Sequence, residues 1–294
     1  MDLYKEIQEQ RAKMWHADRA RDAHVDVQPE DIQQYCDLSY GPDAMHRFDV
    51  YVKKDVPLPL PVIINVHGGG WYYGDKTIYK AYCLRLAKQG YCVVNFNYRL
   101  APEHPYPAAL DDIDRLCHYI ATTIHRYGGD TQRVYVVADS AGAELALQYV
   151  TLQMSETFHK QFSYEPLPYS FRKVALYCGV YFLETSPTMT TGRLKHLRHA
   201  YLPDAIWEQY RDQLKPEPWM KETATQWLLA TGQDDFLRDD TVNLHQFLDR
   251  HHVSHHFYDY HSDAESVRHV FELHPDTAVA TEALCDLMTF FNEV

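Results

Sequence analysis

Positive charge is scarce in this 294-residue chain: 28 Lys and Arg stand against 41 Asp and Glu, a formal net charge of −13 with histidine neutral. A surface so acidic argues against nucleic acid and anionic membranes, which are recognised through basic patches. Neutral or cationic small molecules are easier partners, and part of the acidity serves solubility alone. Long apolar runs are missing too, and nothing approaches the roughly 18 residues of a membrane span. The opening stretch MDLYKEIQEQRAKMW is polar throughout, without the basic start and apolar core of an export leader. The six cysteines (36, 83, 92, 117, 178 and 285) form no C-x-x-C pair, and several lie in apolar segments where a free thiol acts as a small hydrophobe. A reducing cytoplasm is the simplest setting. A homo-oligomer is left open.

What is present is alternation. Residues 1–23 carry Leu3, Ile7 and Met14 near helical spacing. Strands are expected at Gln34–Tyr40, Arg47–Val52, Val62–Val66, Tyr91–Asn97, Arg133–Ala138, Val174–Tyr181, Trp227–Thr231 and His255–Tyr260. Helices fit between them at Lys76–Lys88, Pro107–Tyr127, Ala141–Gln153, Asp240–Arg250 and Thr277–Asn292. Such a βαβ rhythm predicts one α/β domain over 1–294, a mostly parallel eight-stranded sheet with helices on both faces. Residues 183–223 break the rhythm. With Trp207, Tyr210 and Leu214 at helical spacing, that stretch reads as a cap insertion over a pocket.

Two turns carry chemistry. Apolar Val134–Ala138 runs through Asp139-Ser140-Ala141-Gly142 into a helix, the setting of a nucleophilic serine on a sharp strand-to-helix turn. The usual G-x-S-x-G reads A-D-S-A-G here. Ala138 ends a strand and needs no positive φ, so its extra methyl weakens the pattern without breaking it. Alone, Ser140 would pass for a helix N-cap. The second turn is His67-Gly68-Gly69-Gly70-Trp71, directly after Val62–Val66. Three glycines are costly in backbone entropy, and N–H groups aimed at a developing oxyanion supply a reason for them. G-x-G-x-x-G and the P-loop ending are both absent, which disfavours a nucleotide site.

Taken in order, H-G-G-G-W, then Y-R-L-A-P-E-H-P-Y-P-A-A at 98–109, then D-S-A-G, resemble the hormone-sensitive-lipase-like esterases, with matching spacing from about residue 47 to the C-terminus. The resemblance implies an α/β-hydrolase fold with a helical cap and oxyanion donors at Gly69, Gly70 and Ala141. It implies no cofactor and no metal. His67, Gly68, Trp71, Tyr72 and Asp139 are the candidate pocket residues, and bulky aromatics after the glycine loop (Trp71, Tyr72, Tyr73) suggest a narrow site for short acyl chains.

A serine nucleophile needs a histidine base and an orienting carboxylate, in the chain order Ser, Asp or Glu, His. Position alone does not separate Asp234 from Asp235; Asp239 and Asp240 suit a helix N-terminus. The family pattern D-x-L-x-D falls on Asp235–Asp239 and selects Asp235. Of 18 histidines, His261, His269 and His274 lie after the last strand, and His269-Val270-Phe271 matches the family's histidine turn, 34 positions after Asp235. The run His251-His252-Val253-Ser254-His255-His256 spans a helix end and a strand start, so its histidines should not share one face, and no metal site is expected there. The function implied is hydrolysis of a small-molecule ester through an acyl-enzyme. The same residues would also suit an arylformamidase or amidase, whereas a ligand-binding relative without catalysis would have no use for His269.

Overall fold

The computed structural model describes residues 3–191 and 194–293. Eight strands form one sheet: β1 (Ile32–Ser39), β2 (Arg47–Lys53), β3 (Leu60–Val66), β4 (Cys92–Phe96), β5 (Gly129–Asp139), β6 (Phe171–Tyr177), β7 (Gln226–Gly232) and β8 (His255–Tyr260). Their order is β1-β2-β4-β3-β5-β6-β7-β8. β2 runs antiparallel to both neighbours, and every pair from β4 to β8 is parallel. The expected mostly parallel eight-stranded α/β-hydrolase architecture is borne out.

The helices are α1 (Leu3–Asp22), α2 (Lys80–Lys88), α3 (Ala108–Thr123), α4 (Ser140–Met154), α5 (Glu156–His159), α6 (Pro187–Thr190), α7 (Lys195–Tyr201), α8 (Asp204–Tyr210), α9 (Arg238–Arg250) and α10 (Ala278–Asn292). The central strands are apolar on both faces because helices cover both: Val62, Ile64 and Val66 join one buried cluster, Ile63 the other. Helix α4 is buried almost throughout, which explains why its sequence has no polar stripe.

Several boundaries differ from expectation. β6 ends at Tyr177 rather than Tyr181, because Cys178 takes φ +49° and turns the chain out of the sheet. α2 begins at Lys80, four residues later than expected, and the last turn of the 107–127 segment is 3₁₀. Within 183–223 the chain forms α6 to α8 and a 3₁₀ turn at 217–222; Trp207 and Tyr210 share α8, and Leu214 lies beyond its end. α1 is the least apolar long helix, with Ile7 its one buried residue. Leu3, Met14 and Trp15 pack half-buried against the core, and polar contacts add to them. Arg11 donates to the carbonyls of Tyr72 (2.6 Å) and Ala101 (2.8 Å) and pairs with Glu103, while Arg21 donates to the Ile78 carbonyl (2.8 Å).

Gly142 sits where α4 crosses the end of β3. A Cβ there would lie 2.3 Å from the Val66 carbonyl oxygen and 2.4 Å from that of His67, both backbone atoms that cannot swing away. Gly142→Ala is therefore expected to cost about 1–3 kcal/mol, the usual range for overpacking, read as a lower urea midpoint with unchanged m-value.

Candidate active site

Every element of the site lies at the carboxyl end of a parallel strand, where open α/β sheets place their ligands. β3 leads into His67–Gly70, β5 into Ser140, β7 into Asp235, and the loop after β8 carries His269. Ser140 takes φ +52°, a left-handed conformation uncommon for a side chain of its kind. That turn aims its Oγ away from the sheet. His269 Nε2 lies 2.9 Å from Ser140 Oγ, and His269 Nδ1 lies 2.7 Å from Asp235 Oδ1. Since the carboxylate can only accept, Nδ1 carries the proton and Nε2 offers its lone pair to the serine hydroxyl.

Asp235 is buried and well satisfied. Thr231 Oγ1 donates to its Oδ2 (3.0 Å), and the Leu237 N–H donates to Oδ1 (3.0 Å). Burial alone would raise its pKa; the hydrogen bond and charge of His269, with the Leu237 N–H, outweigh that and hold the carboxyl below its ordinary value. Asp234 points the other way, accepting from Ser266 Oγ (2.7 Å) and the Val267 N–H (3.1 Å), and so braces the loop that carries the histidine. Asp239 and Asp240 lie in the first turn of α9, and His261 is exposed beside Asp259.

Three more residues with side chains sit at positive φ around this point: Trp71 (+64°), Cys178 (+49°) and Val270 (+55°). Trp71 directly follows the glycine loop, Val270 directly follows His269, and the Cys178 sulfur lies within 4.8 Å of Asp235 and His269; such strain gathers at functional sites. Cys178 Sγ accepts from the Val270 N–H at 3.4 Å, tying the residue after the histidine to the end of β6.

The glycine loop divides its tasks. The Gly68 N–H is engaged by Tyr79 Oη (2.9 Å) and Asp139 Oδ1 (3.2 Å), and Tyr79 donates to Asp139 Oδ2 (2.8 Å). Burial raises the Asp139 carboxyl to about 6 against the opposing pull of Tyr79 and His269. Gly69 (φ +119°) and Gly70 (φ +60°) border the cavity beside Ser140; a Cβ on Gly69 would strike the Tyr73 carbonyl at 2.0 Å. Ala141 is buried in the first turn of α4, where backbone N–H groups have no partner within the helix.

A cavity of about 380 Å³ opens over Ser140 and His269. Gly68, Tyr72 and Asp139 line it as expected from sequence, but His67 and Trp71 do not. His67 is fully buried, stacked on Tyr98 at 4.1 Å, with Nδ1 held by the Gly68 carbonyl at 2.8 Å; burial lowers its pKa to about 4. Trp71 turns inward, stacks on Tyr201 of α7 at 4.7 Å, and donates its Nε1–H to Glu144 at 3.0 Å. Both rings brace the glycine loop from behind. Sequence reasoning missed the opposite wall, where α1 contributes Glu6, Gln10, Met14 and Asp18; from 183–223 the lining includes Leu194. The weak apolar pattern of α1 offered no sign of this.

Among the described residues no helix is long and apolar enough to cross a membrane. A serine hydroxyl, an imidazole and a carboxylate thus stand in one hydrogen-bonded line beside a glycine turn, an arrangement in which the imidazole can accept the hydroxyl proton. A family described as alpha/beta hydrolase fold matches residues 63–272, and the chain belongs to it. The likeness to hormone-sensitive-lipase-like esterases is borne out. Esterase LipC of Mycobacterium tuberculosis (strain ATCC 25618 / H37Rv) is 36% identical over 110 residues, 36% of this chain and 27% of LipC. The versiconal hemiacetal acetate esterase of Dothistroma septosporum (strain NZE10 / CBS 128990) is 37% identical over 113 residues, 38% of this chain and 34% of that enzyme. The matched stretch thus spans about a quarter to a third of these relatives' own length. The solved structure of esterase B from Lactobacillus Rhamnosis (HN001) superposes with TM-score 0.88 at 26% identity, covering 99% of this chain and 94% of that one.

Glu144 offers a test of the buried frame. Burial raises its carboxyl to about 8, with the Trp71 hydrogen bond pulling the other way. Its folded pKa lies above the ordinary 4.5, so its contribution is complete below that value and lost as pH rises through 8. Glu144→Gln keeps an acceptor for Trp71 and removes the titration. Between about pH 5 and about pH 8.5 the variant is expected to gain at least ~1.4 kcal/mol on the wild type, the worth of one pKa unit, as measured by urea denaturation.

Proposed function

We propose that this protein is a serine carboxylesterase that hydrolyses short-chain acyl esters through an acyl-enzyme. The observation that carries the reading is the line Ser140 Oγ, His269 Nε2, His269 Nδ1, Asp235 Oδ1, with contacts of 2.9 and 2.7 Å. Ser140 attacks the ester carbonyl while His269 takes its proton; Asp235 fixes the tautomer and stabilises the imidazolium. The N–H groups of Gly69, Gly70 and Ala141 receive the oxyanion. The Gly68 N–H, already engaged by Tyr79 and Asp139, positions the loop instead. His269 then protonates the leaving alcohol, water attacks the acyl-enzyme, and the same histidine returns the proton to Ser140. No cofactor or metal enters this cycle.

Short acyl chains are favoured by the modest cavity, closed by Tyr72 and Tyr73 on one side and α1 on the other. The esterase B of Lactobacillus Rhamnosis is also known with a C4-C4 SN3 tributyrin phosphonate as inhibitor. Residues 183–223 act here as a cap that shares the roof with α1, and the whole chain as one catalytic domain. None of the six cysteines, all among the described residues, is in a disulfide, in keeping with a reducing, cytoplasmic setting.

With p-nitrophenyl esters of increasing chain length, kcat/KM is expected to peak at acetyl to butyryl and to fall for long acyl groups. Ser140→Ala and His269→Ala should each lose about 10⁴-fold or more in kcat, and Asp235→Asn about 10⁴-fold. Near-wild-type turnover by Ser140→Ala would remove the nucleophile from the scheme. N-formylkynurenine, run beside the esters, is expected to react more slowly. Faster turnover of the formamide would make the same triad an arylformamidase.

A further inference from the structure

The histidine run at 251–256 disperses in the fold. His251, just past the end of α9, packs on Phe247 of that helix, and His256 faces α10, 5.1 Å from the Phe290 ring and 3.2 Å from Glu293. His255 points to the other face of the edge strand β8, as the two-residue period of a strand requires. There it meets α9, on which His245 and Asp249 lie one turn apart. His245 Nδ1 is 2.8 Å from His255 Nε2, Asp249 Oδ1 is 3.9 Å from the same nitrogen, and Asp249 Oδ2 is 3.5 Å from His245 Nε2. One ligand atom from each of the three residues falls within 4.8 Å of the others.

We propose that His245, Asp249 and His255 form a binding site for a transition-metal cation of the zinc class, bridging α9 and β8. His255 is preorganised for it. Its Nδ1–H donates to the Val253 carbonyl at 2.9 Å, so the other nitrogen presents a lone pair. Metal-bound histidines are commonly oriented by this kind of second hydrogen bond. The His255 side chain is 3% exposed, whereas His245 is 27% and Asp249 62% exposed, so the site has a fixed floor and a side open to solvent. His245 lies flat on Phe257 at 4.1 Å and 6°, which holds its plane while leaving its edge toward His255. Phe257 shares with His255 the face of β8 that meets α9.

The donor set decides the metal. Two imidazole nitrogens and one carboxylate suit zinc, nickel, cobalt or copper rather than calcium or magnesium, which prefer oxygen. Tetrahedral zinc at about 2.0–2.1 Å from each nitrogen sets them about 3.3 Å apart, so the partly exposed His245 moves outward slightly and water completes the shell. Charge and protons balance without release. The hydrogen now between the two rings leaves His245 Nδ1, and the ring becomes the Nε2–H tautomer facing Asp249.

This site is independent of the esterase reading, and its test does not use activity. Protein free of any polyhistidine tag and stripped with chelator is titrated with Zn²⁺, followed by calorimetry and thermal melting. One site in the micromolar range is expected, with a rise of about 5 °C in Tm at roughly 100-fold saturation. His245→Gln and Asp249→Asn change accessible side chains; the first should abolish that site and the second weaken it about tenfold or more. Loading with Co²⁺ should give the visible absorption of a tetrahedral ion, absent in His245→Gln. Binding that survives unchanged in His245→Gln, or no binding in the micromolar range, would overturn the proposal.

Discussion

Helix α4 crosses the end of β3 at a distance that only a glycine permits, and the rest of the site depends on that approach. With Gly142 against the Val66 and His67 carbonyls, the serine turn and the glycine loop share one small volume. Asp139 then reaches the Gly68 N–H, and Gly69 and Gly70 come to border the space in front of Ser140. Two turns from distant parts of the chain become one surface because two backbones meet without side chains between them.

Around that contact the protein holds conformations that a free chain avoids. Trp71, Ser140, Cys178 and Val270 all sit at positive φ, and the surrounding packing keeps them there. The rings of His67 and Trp71 fill the back of the loop, one against Tyr98 and the other against Tyr201. Buried carboxyls at Asp139 and Glu144 are tolerated because each accepts a hydrogen bond from an aromatic side chain, Tyr79 and Trp71. The frame thus resists relaxation toward easier backbone angles, and the serine hydroxyl stays aimed at the imidazole.

Much of this was legible in the sequence because it rests on local pattern. Alternating strands and helices gave the sheet, and Ser140 and the glycine triplet stood out as turn chemistry. Local pattern also sets the limit. Asp234 and Asp235 are neighbours of one type, and what separates them is which way each side chain points from a single turn. Aromatics beside a glycine loop look like pocket walls, yet His67 and Trp71 face inward, since orientation follows from backbone angles that letters do not reveal. His245 lies outside the histidine run and meets His255 only through the packing of α9 on β8. The pocket wall on α1 was hidden for another reason: only a few scattered apolar side chains dock that helix, and arginine contacts to distant carbonyls do much of the rest.

That mode of attachment has a consequence for how such a protein can diversify. α1 forms one side of the cavity but contributes a single buried side chain to the core. Its cavity-facing positions 6 and 10 can therefore vary without repacking the sheet, whereas Met14 packs on the core and Asp18 pairs with Arg21 and accepts from Tyr73. The shape of the cavity on this side and the stability of the sheet are thus set largely by different residues, so the one can drift while the other stays fixed.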